Sequence, residues 1–301
     1  MKKIATLTYV GPGIEEATRL KQLFQCLLRY EPDIETYVII DDSSKQKFNV
    51  LISSELIERV VIIPNPRNGK GHWWQGGLCV GLVEGLRWLS INRDVDFVVR
   101  LDTDAMVINE FANKLSLFFE KNPMVGLSGT WDKYAVNGTQ RIPREDLRAF
   151  FKPIFRKIIR PIAIWRHSKL PIRLQWLLSR NDRLVRSIVL KALRNGYNGG
   201  DFVQGGSFVV NGSLIIYLSK LGYLDYPLAF LGQFFSEDVL MTVLCFGSNF
   251  AIQGFNQHGE VFGVQSGEIA IPIEEFEKMG YSIVHAVKDI EKRRSWIDSK
   301  M

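Results

Sequence analysis

Two aspartates, Asp102 and Asp104, stand one residue apart in FVVRLDTDAMVI (97–108), where a hydrophobic run breaks and then resumes. Residues i and i+2 of an extended segment project to the same side, so the pair would present two carboxylates to one point. Two hard oxygen ligands suit Mg²⁺ or Mn²⁺, which can bridge and neutralise the oxygens of a diphosphate. The competing reading of a lone D-x-D is a strand end that caps the next turn. Arg100 falls on the same side of the strand as Asp102, either as an ion-pair partner of the acidic site or as a phosphate contact.

Other residues of chemical interest lie in loops and at element ends. Asp41-Asp42 closes the run TYVIIDDSS, and Lys70 sits in the Gly-rich loop NPRNGKGHWWQGG, either solvated or reaching a phosphate. Gly205-Gly206 in FVQGGSFVV permits a close backbone approach to a ligand or marks a bulge. In SEDVLMTVL, Ser236 reads as a helix cap with Glu237 and Asp238 in the first turn, which is by itself a sufficient structural explanation.

The elements that must position these residues alternate. KIATLTYV, TYVIID, RVVIIPN and DVDFVVRLD read as buried strands, and the stretches after the first three carry helical spacing or a loop leading into a helix. ANKLSLFFEKNP, MVGLSGTWD, FVQGGSFVVN and SEDVLMTVLCFG continue the series as helix, strand, strand and helix. This is the pattern of an α/β fold, a mostly parallel twisted sheet with helices on both faces, in which ligands bind at the carboxyl ends of strands. Both acidic pairs, Asp41-Asp42 and Asp102-Asp104, fall at such ends.

Composition is that of a soluble globular protein: 301 residues, 46% hydrophobic and 23% charged, with a net charge of +6. A single domain spanning 1–301 is expected, with a basic helical insertion at 141–196. Between Arg141 and Arg194 there are 15 Lys+Arg against 3 Asp+Glu, a surplus of +12, so the remainder of the chain sums to −6. Cys26, Cys79 and Cys245 lie far apart in apolar surroundings and read as core residues of a cytoplasmic protein. Neither a signal peptide nor a membrane span is expected, since no apolar run reaches about 18 residues.

Taken in order, the strand ending Thr8-Tyr9, TYVIIDDSS, NGKGHWWQGGL, RLDTDAMVI, FVQGGSFVV and SEDVLMTVL resemble the nucleotide-sugar-dependent glycosyltransferases of the GT-A fold, most closely the inverting family 2 type. The resemblance spans about residues 1 to 245. It implies that Tyr9 stacks on the nucleotide base and that Asp42 accepts a hydrogen bond from the base of a uridine nucleotide. It implies that Asp102 and Asp104 hold the diphosphate through Mn²⁺ or Mg²⁺, and that Gly205 and Gly206 lie under the sugar and acceptor. Asp238 would be the general base, with Glu237 orienting the acceptor. VHAVKD resembles the late element of such enzymes, making His285 a third metal ligand and Lys288 a phosphate contact. His258 is the other late histidine, His72 adjoins the Gly-rich loop, and His167 lies in the basic insertion.

The resemblance implies a glycosyltransferase (EC 2.4) acting on a nucleoside diphosphate sugar, UDP-linked, and on a glycan or lipid-linked acceptor. Two alternatives stay open: a sugar nucleotidyltransferase, whose phosphate loop normally follows the first strand where this chain has the acidic YVGPGIEEATRL, and a non-catalytic sugar-nucleotide or membrane-binding module. The stretch 141–194 mixes basic and apolar residues at helical spacing. It would be a packed helical subdomain, a dimer contact, or a peripheral contact with an anionic membrane surface or lipid-linked acceptor. No nucleic acid is expected as a partner, because the stretch is too aliphatic.

Overall fold

A computed structural model describes residues 2–11, 13–42, 58–71, 76–131, 180–199, 201–232, 236–265 and 267–300. The expected alternation is present. Strands β1 (Ile4–Val10), β2 (Thr36–Asp41), β3 (Val60–Pro64) and β4 (Phe97–Asp102) are joined through α1 (Ile14–Tyr30) and α2 (Leu78–Asn92). After β5 (Met106–Val107) and α3 (Ala112–Lys121) come β6 (Val125–Gly129), α4 (Arg180–Arg194), β7 (Ser207–Asn211) and α5 (Gly212–Lys220). The chain continues through α6 (Glu237–Gly247), β8 (Ala251–Gly254), β9 (Phe262–Val264), α7 (Ile273–Lys278), β10 (Ile283–His285) and α8 (Ile290–Lys300).

Among the described residues, seven strands form one sheet in the order β3-β2-β1-β4-β7-β6-β8. Only β7 runs against the others, pairing antiparallel with both β4 and β6. The sheet is therefore mixed but mostly parallel. Because β1 lies between β2 and β4, the chain leaves β1 to one side and returns on the other, which opens a crevice at the carboxyl ends of β1 and β4. The register pairs Val10 with Asp41 and Tyr9 with Asp102, so both acidic strand ends lie level on either side of β1.

Strand alternation divides the core. Phe97, Val99 and Leu101 of β4 face a cluster built with α1, α3 and α8, while Val98 faces a second cluster built with α2, α4, α5 and α6. The three cysteines are free and buried in these clusters. A small second sheet, β5-β10-β9, is attached to the first cluster and carries the chain segment that ends in His285.

Of the basic stretch 141–196, residues 141–179 lie outside the described residues. Its described end, α4, turns Val185, Ile188, Val189 and Ala192 into the core and leaves Arg183, Lys191 and Arg194 exposed. Among the described residues, no helix is long and apolar enough to cross a membrane. The stretch LISSELIE (51–58), which reads as a short helix between the second and third strands, lies almost wholly outside the described residues.

The return from β7 into α5 depends on a glycine. A Cβ at Gly212 would fall 1.9 Å from the carbonyl oxygen of Val95, a backbone atom that cannot swing aside. Gly212→Ala is expected to destabilise the fold by about 1–3 kcal/mol or more, the cost of overpacking a rigid site. A urea unfolding curve with a lowered midpoint and unchanged slope checks this.

Candidate functional site

Asp102 ends β4, and the chain then turns sharply, with the Ala105 N–H donating to the Asp102 carbonyl at 3.0 Å. Asp104 therefore lies in a turn, not on an extended strand as the i, i+2 argument requires. The two carboxylates nevertheless converge. His285, at the end of β10, places Nε2 3.1 Å from Asp104 Oδ1 and 3.5 Å from Asp102 Oδ2. Pairing of Val284 with Met106 in the small sheet, and the Val287 N–H donating to the Asp104 carbonyl at 2.8 Å, bring the late segment to the turn.

The ring of His285 rests on Gly206. A Cβ there would fall 2.3 Å from the ring atoms, and Gly206 has a φ of +96°, so glycine is required twice over. The Gly206 carbonyl also accepts from the Asp102 N–H at 2.8 Å. The backbone approach that the glycine pair permits here is to the imidazole.

One ligand atom from each of Asp102, Asp104 and His285 lies within 4.8 Å of the others. Two carboxylates and an imidazole on one partly exposed point suit Mn²⁺ or Mg²⁺ and leave coordination positions open. The electrostatics agree. Burial opposes charge on His285, but the Asp102 and Asp104 carboxylates outweigh it and raise its pKa to about 9. Burial opposes ionisation of Asp104 as well, and His285 wins, lowering its pKa to about 2. A proton on the imidazole thus stands where a cation would bind.

On the other side of Asp102 lies Arg100, with 0% of its side chain exposed. Its Nη2 donates to Asp102 Oδ1 at 2.7 Å and to Glu237 Oε1 at 3.1 Å. The guanidinium carbon lies 4.8 Å from the centre of the Tyr9 ring and 5.5 Å from that of Phe208. So complete a burial leaves no route to a phosphate, and of its two sequence readings Arg100 is the ion-pair partner. Tyr9 is only 3% exposed, with its ring beside Arg100 in the core. It underlies the site and does not present an open face on which a base could stack.

Glu237 and Asp238 open α6, both buried. Ser236 occupies the cap position, but its hydroxyl donates to Asp238 Oδ1 and makes no side-chain cap bond. Asp238 Oδ1 also accepts the Val239 N–H at 2.7 Å, and Oδ2 accepts the Gly205 N–H at 3.2 Å. A Cβ on Gly205 would come within 3.1 Å of Glu237 Oε1 and 3.3 Å of Asp238 Oδ2, so only a hydrogen covers these carboxylates there. Burial pushes the Glu237 carboxyl up to about 7; Arg100 pulls against this, and Asp238 and Asp102 reinforce it.

Asp42, just past β2, is buried and held by a partner that sequence reading missed. Arg67 Nε donates to Asp42 Oδ2 at 2.6 Å, and Arg67 Nη1 donates to the carbonyls of Lys70 and Gly71 at 2.8 and 3.2 Å. Asn65 Nδ2 adds contacts to Asp42 Oδ2 at 3.3 Å and to the Gly77 carbonyl at 2.9 Å. Burial raises the Asp42 pKa, with Arg67 opposing. Lys70 is exposed at the tip of the loop that Arg67 folds back, and His72 lies outside the described residues.

Lys288 is exposed beyond the metal-ligand cluster, its N–H donating to the Glu268 carboxylate at 3.1 Å. The other late histidine, His258, is exposed and packs edge-on against Tyr281, away from the acidic pair. His167 lies outside the described residues. Two further supports had no motif to announce them. Thr103 donates its hydroxyl to Glu16, pinning the acidic turn to α1. Arg293, fully buried, donates to Gln22 Oε1 at 2.9 Å and to the Arg19 and Val287 carbonyls at 3.0 and 3.1 Å, fixing the segment after His285.

No protein-family model matches the chain, and no curated protein matches it. Among solved structures, it is similar to the galactosyltransferase LgtC in complex with donor and acceptor sugar analogs, at 12% identity and a TM-score of 0.49, with 98% of this chain and 95% of that one covered. It is also similar to the bifunctional glycosyltransferase WbbM, at 9% identity and a TM-score of 0.49, covering 98% of this chain and 50% of that one. A third is core-mannan synthase A from Aspergillus fumigatus in its Mn/GDP form, at 12% identity and a TM-score of 0.40, covering 85% and 73%. All three are glycosyltransferases; the functional reading that follows stands on the geometry of the site.

The histidine makes metal binding pH-dependent with a definite sign. Its folded pKa lies above the ordinary 6.5, so without metal its contacts stabilise the fold fully below about pH 6.5 and cease to do so as pH rises through about 9. Mn²⁺ must displace that proton, so its apparent affinity should rise roughly tenfold per pH unit up to about pH 9. Calorimetric titrations at three pH values measure the slope, and a flat profile would remove His285 from the ligand set. Gly206→Ala, by displacing the ring, should weaken Mn²⁺ binding roughly 10–100-fold in the same titration.

Proposed function

We propose that the chain is a GT-A-type glycosyltransferase that moves a sugar from a nucleoside diphosphate sugar, UDP-linked, to a hydroxyl of a glycan or lipid-linked acceptor, with inversion. The observation that carries this reading is the convergence of Asp102, Asp104 and His285 at the carboxyl end of β4, across Arg100 from Glu237 and Asp238. Asp102, Asp104 and His285 would hold Mn²⁺ or Mg²⁺, which when bound neutralises charge gathering on the departing diphosphate.

The rest of the site follows from the chain's own groups. Asp42 and the Arg67-folded loop stand at the end of β2, two strands and about 10 Å from Asp102 by sheet spacing, a separation that suits a base at one end and a diphosphate at the other. Lys70 and Lys288, both exposed on loops at this edge, supply mobile cations for phosphate oxygens. Asp238 takes the proton of the attacking hydroxyl, with Gly205 leaving room above it and Glu237 orienting the acceptor. Contact with an anionic membrane surface or a lipid-linked acceptor would use the basic stretch 141–194, whose described end, α4, turns its apolar face to the core and leaves Arg183, Lys191 and Arg194 exposed.

The test is a thermal-shift panel of nucleoside diphosphates and their sugars, with and without Mn²⁺. A ligand at 100 times its Kd stabilises the folded state by about 2.7 kcal/mol, enough to raise Tm measurably. Metal-dependent stabilisation confined to uridine nucleotides is expected; no shift with any nucleotide would overturn the reading. With a donor in hand, Asp238→Asn should lower kcat roughly 10²–10⁴-fold. The anomeric coupling of the product by NMR should show inversion, and retention would leave Asp238 without its assigned task.

A further inference from the structure

Arg100 is a side chain that spans two parts of the site, which the backbone of Gly205-Gly206 also joins through the Gly205 N–H to Asp238 and the Gly206 carbonyl to the Asp102 N–H. The metal-binding turn is fixed by backbone contacts of its own: the Asp102 N–H to Gly206, the Ala105 N–H to Asp102, and the Val287 N–H to Asp104. The Glu237-Asp238 end belongs to α6, which follows β7 and α5 and packs on the opposite face of the sheet from the small strands that deliver His285. Between them, a single nitrogen of the Arg100 guanidinium, Nη2, donates to both sides, Asp102 Oδ1 and Glu237 Oε1. Tyr9 and Phe208 flank it.

We infer that Arg100 is a positioning residue that sets the distance between the metal-binding carboxylate of Asp102 and the acceptor-side carboxylates of α6. The inference rests on the glycosyltransferase reading. Two structural features bear on it. Asp102 presents Oδ1 to Arg100 and Oδ2 to His285, in a turn that its own backbone bonds hold in place. Glu237 is held by a charge that cannot move, because the guanidinium has no exposed surface and two aromatic rings beside it. A lysine would keep the positive charge but, as a single ammonium on a flexible stem, would not reproduce the planar group that fits between the rings and reaches both carboxylates.

The experiment compares wild type with Arg100→Lys and Phe208→Leu, the second removing one aromatic neighbour without touching a charge. Mn²⁺ affinity is measured by the free-Mn²⁺ EPR signal, and UDP release from UDP-glucose and UDP-galactose, with water as acceptor, gives kcat and donor KM. A positioning role predicts that Arg100→Lys lowers kcat roughly 100-fold, within the range of a lost acid-base group, and Phe208→Leu roughly tenfold. Mn²⁺ affinity and donor KM should stay within about threefold, since an interaction that acts on the chemical step lowers kcat without raising KM. Equal losses in kcat and in donor or Mn²⁺ affinity, or kcat unchanged in both variants, would overturn the inference alone. If Arg100→Lys does not fold, Phe208→Leu decides by the same criteria. A wild type that binds no Mn²⁺ and releases no UDP would overturn the glycosyltransferase reading and the inference with it.

Discussion

A guanidinium withdrawn from water is tolerable only where fixed charges and polarisable faces replace its hydration. At Arg100 two carboxylates on Nη2 and two aromatic rings do part of this, while Nε and Nη1 make no hydrogen bond among the described residues. The acidic site depends on this arrangement as much as the arginine does, because Asp102, Asp104, Glu237 and Asp238 would otherwise crowd several negative charges into a largely buried region. Burial, reinforced by Asp238 and Asp102, moves Glu237 far enough to titrate near neutrality even though Arg100 opposes that drift. Breaking a buried pair by removing one partner typically costs about 3–5 kcal/mol, so the pair constrains substitution on both sides.

The same economy governs Asp42. There the cation is Arg67, recruited from the loop after β3, and the loop folds because its own carbonyls also accept from that guanidinium. Each acidic strand end is thus matched to a buried arginine, one within the strand and one on a neighbouring loop. Arg293 provides a third buried guanidinium, this one held by carbonyls and an amide, and burial lowers its pKa to about 10.

Much of this architecture was legible in the chain, for reasons that differ by element. The parallel strands declared themselves because buried strands are continuous β-branched runs, and their acidic ends mark where the runs stop. The Asp102-Asp104 pair was visible, but its geometry was not: an i, i+2 argument holds for a strand, and the chain turns after Asp102. Tyr9 shows the opposite limit. An aromatic at a strand end looks the same in sequence whether it meets a ligand or an internal cation, and the cation, Arg100, comes from a strand far along the chain. Arg67 and Arg293 carried no motif: Arg67 reaches Asp42 from a different loop, and the partners of Arg293 are backbone carbonyls and an amide, which leave no trace in residue type. Ser236 was legible as a cap position but not in its bond, because an aspartate two residues on captures the hydroxyl.

The small sheet that delivers His285 also bears on how the protein is made. Asp102 and Asp104 emerge from synthesis well before His285, so the ligand set is a contact of very long sequence separation. A chain growing from its N-terminus can build β1 to β4 while holding only an incomplete ligand set. Tight capture of metal would wait until the small sheet docks, which would make metal binding a report that β10 and the Asp102-Asp104 turn have come together.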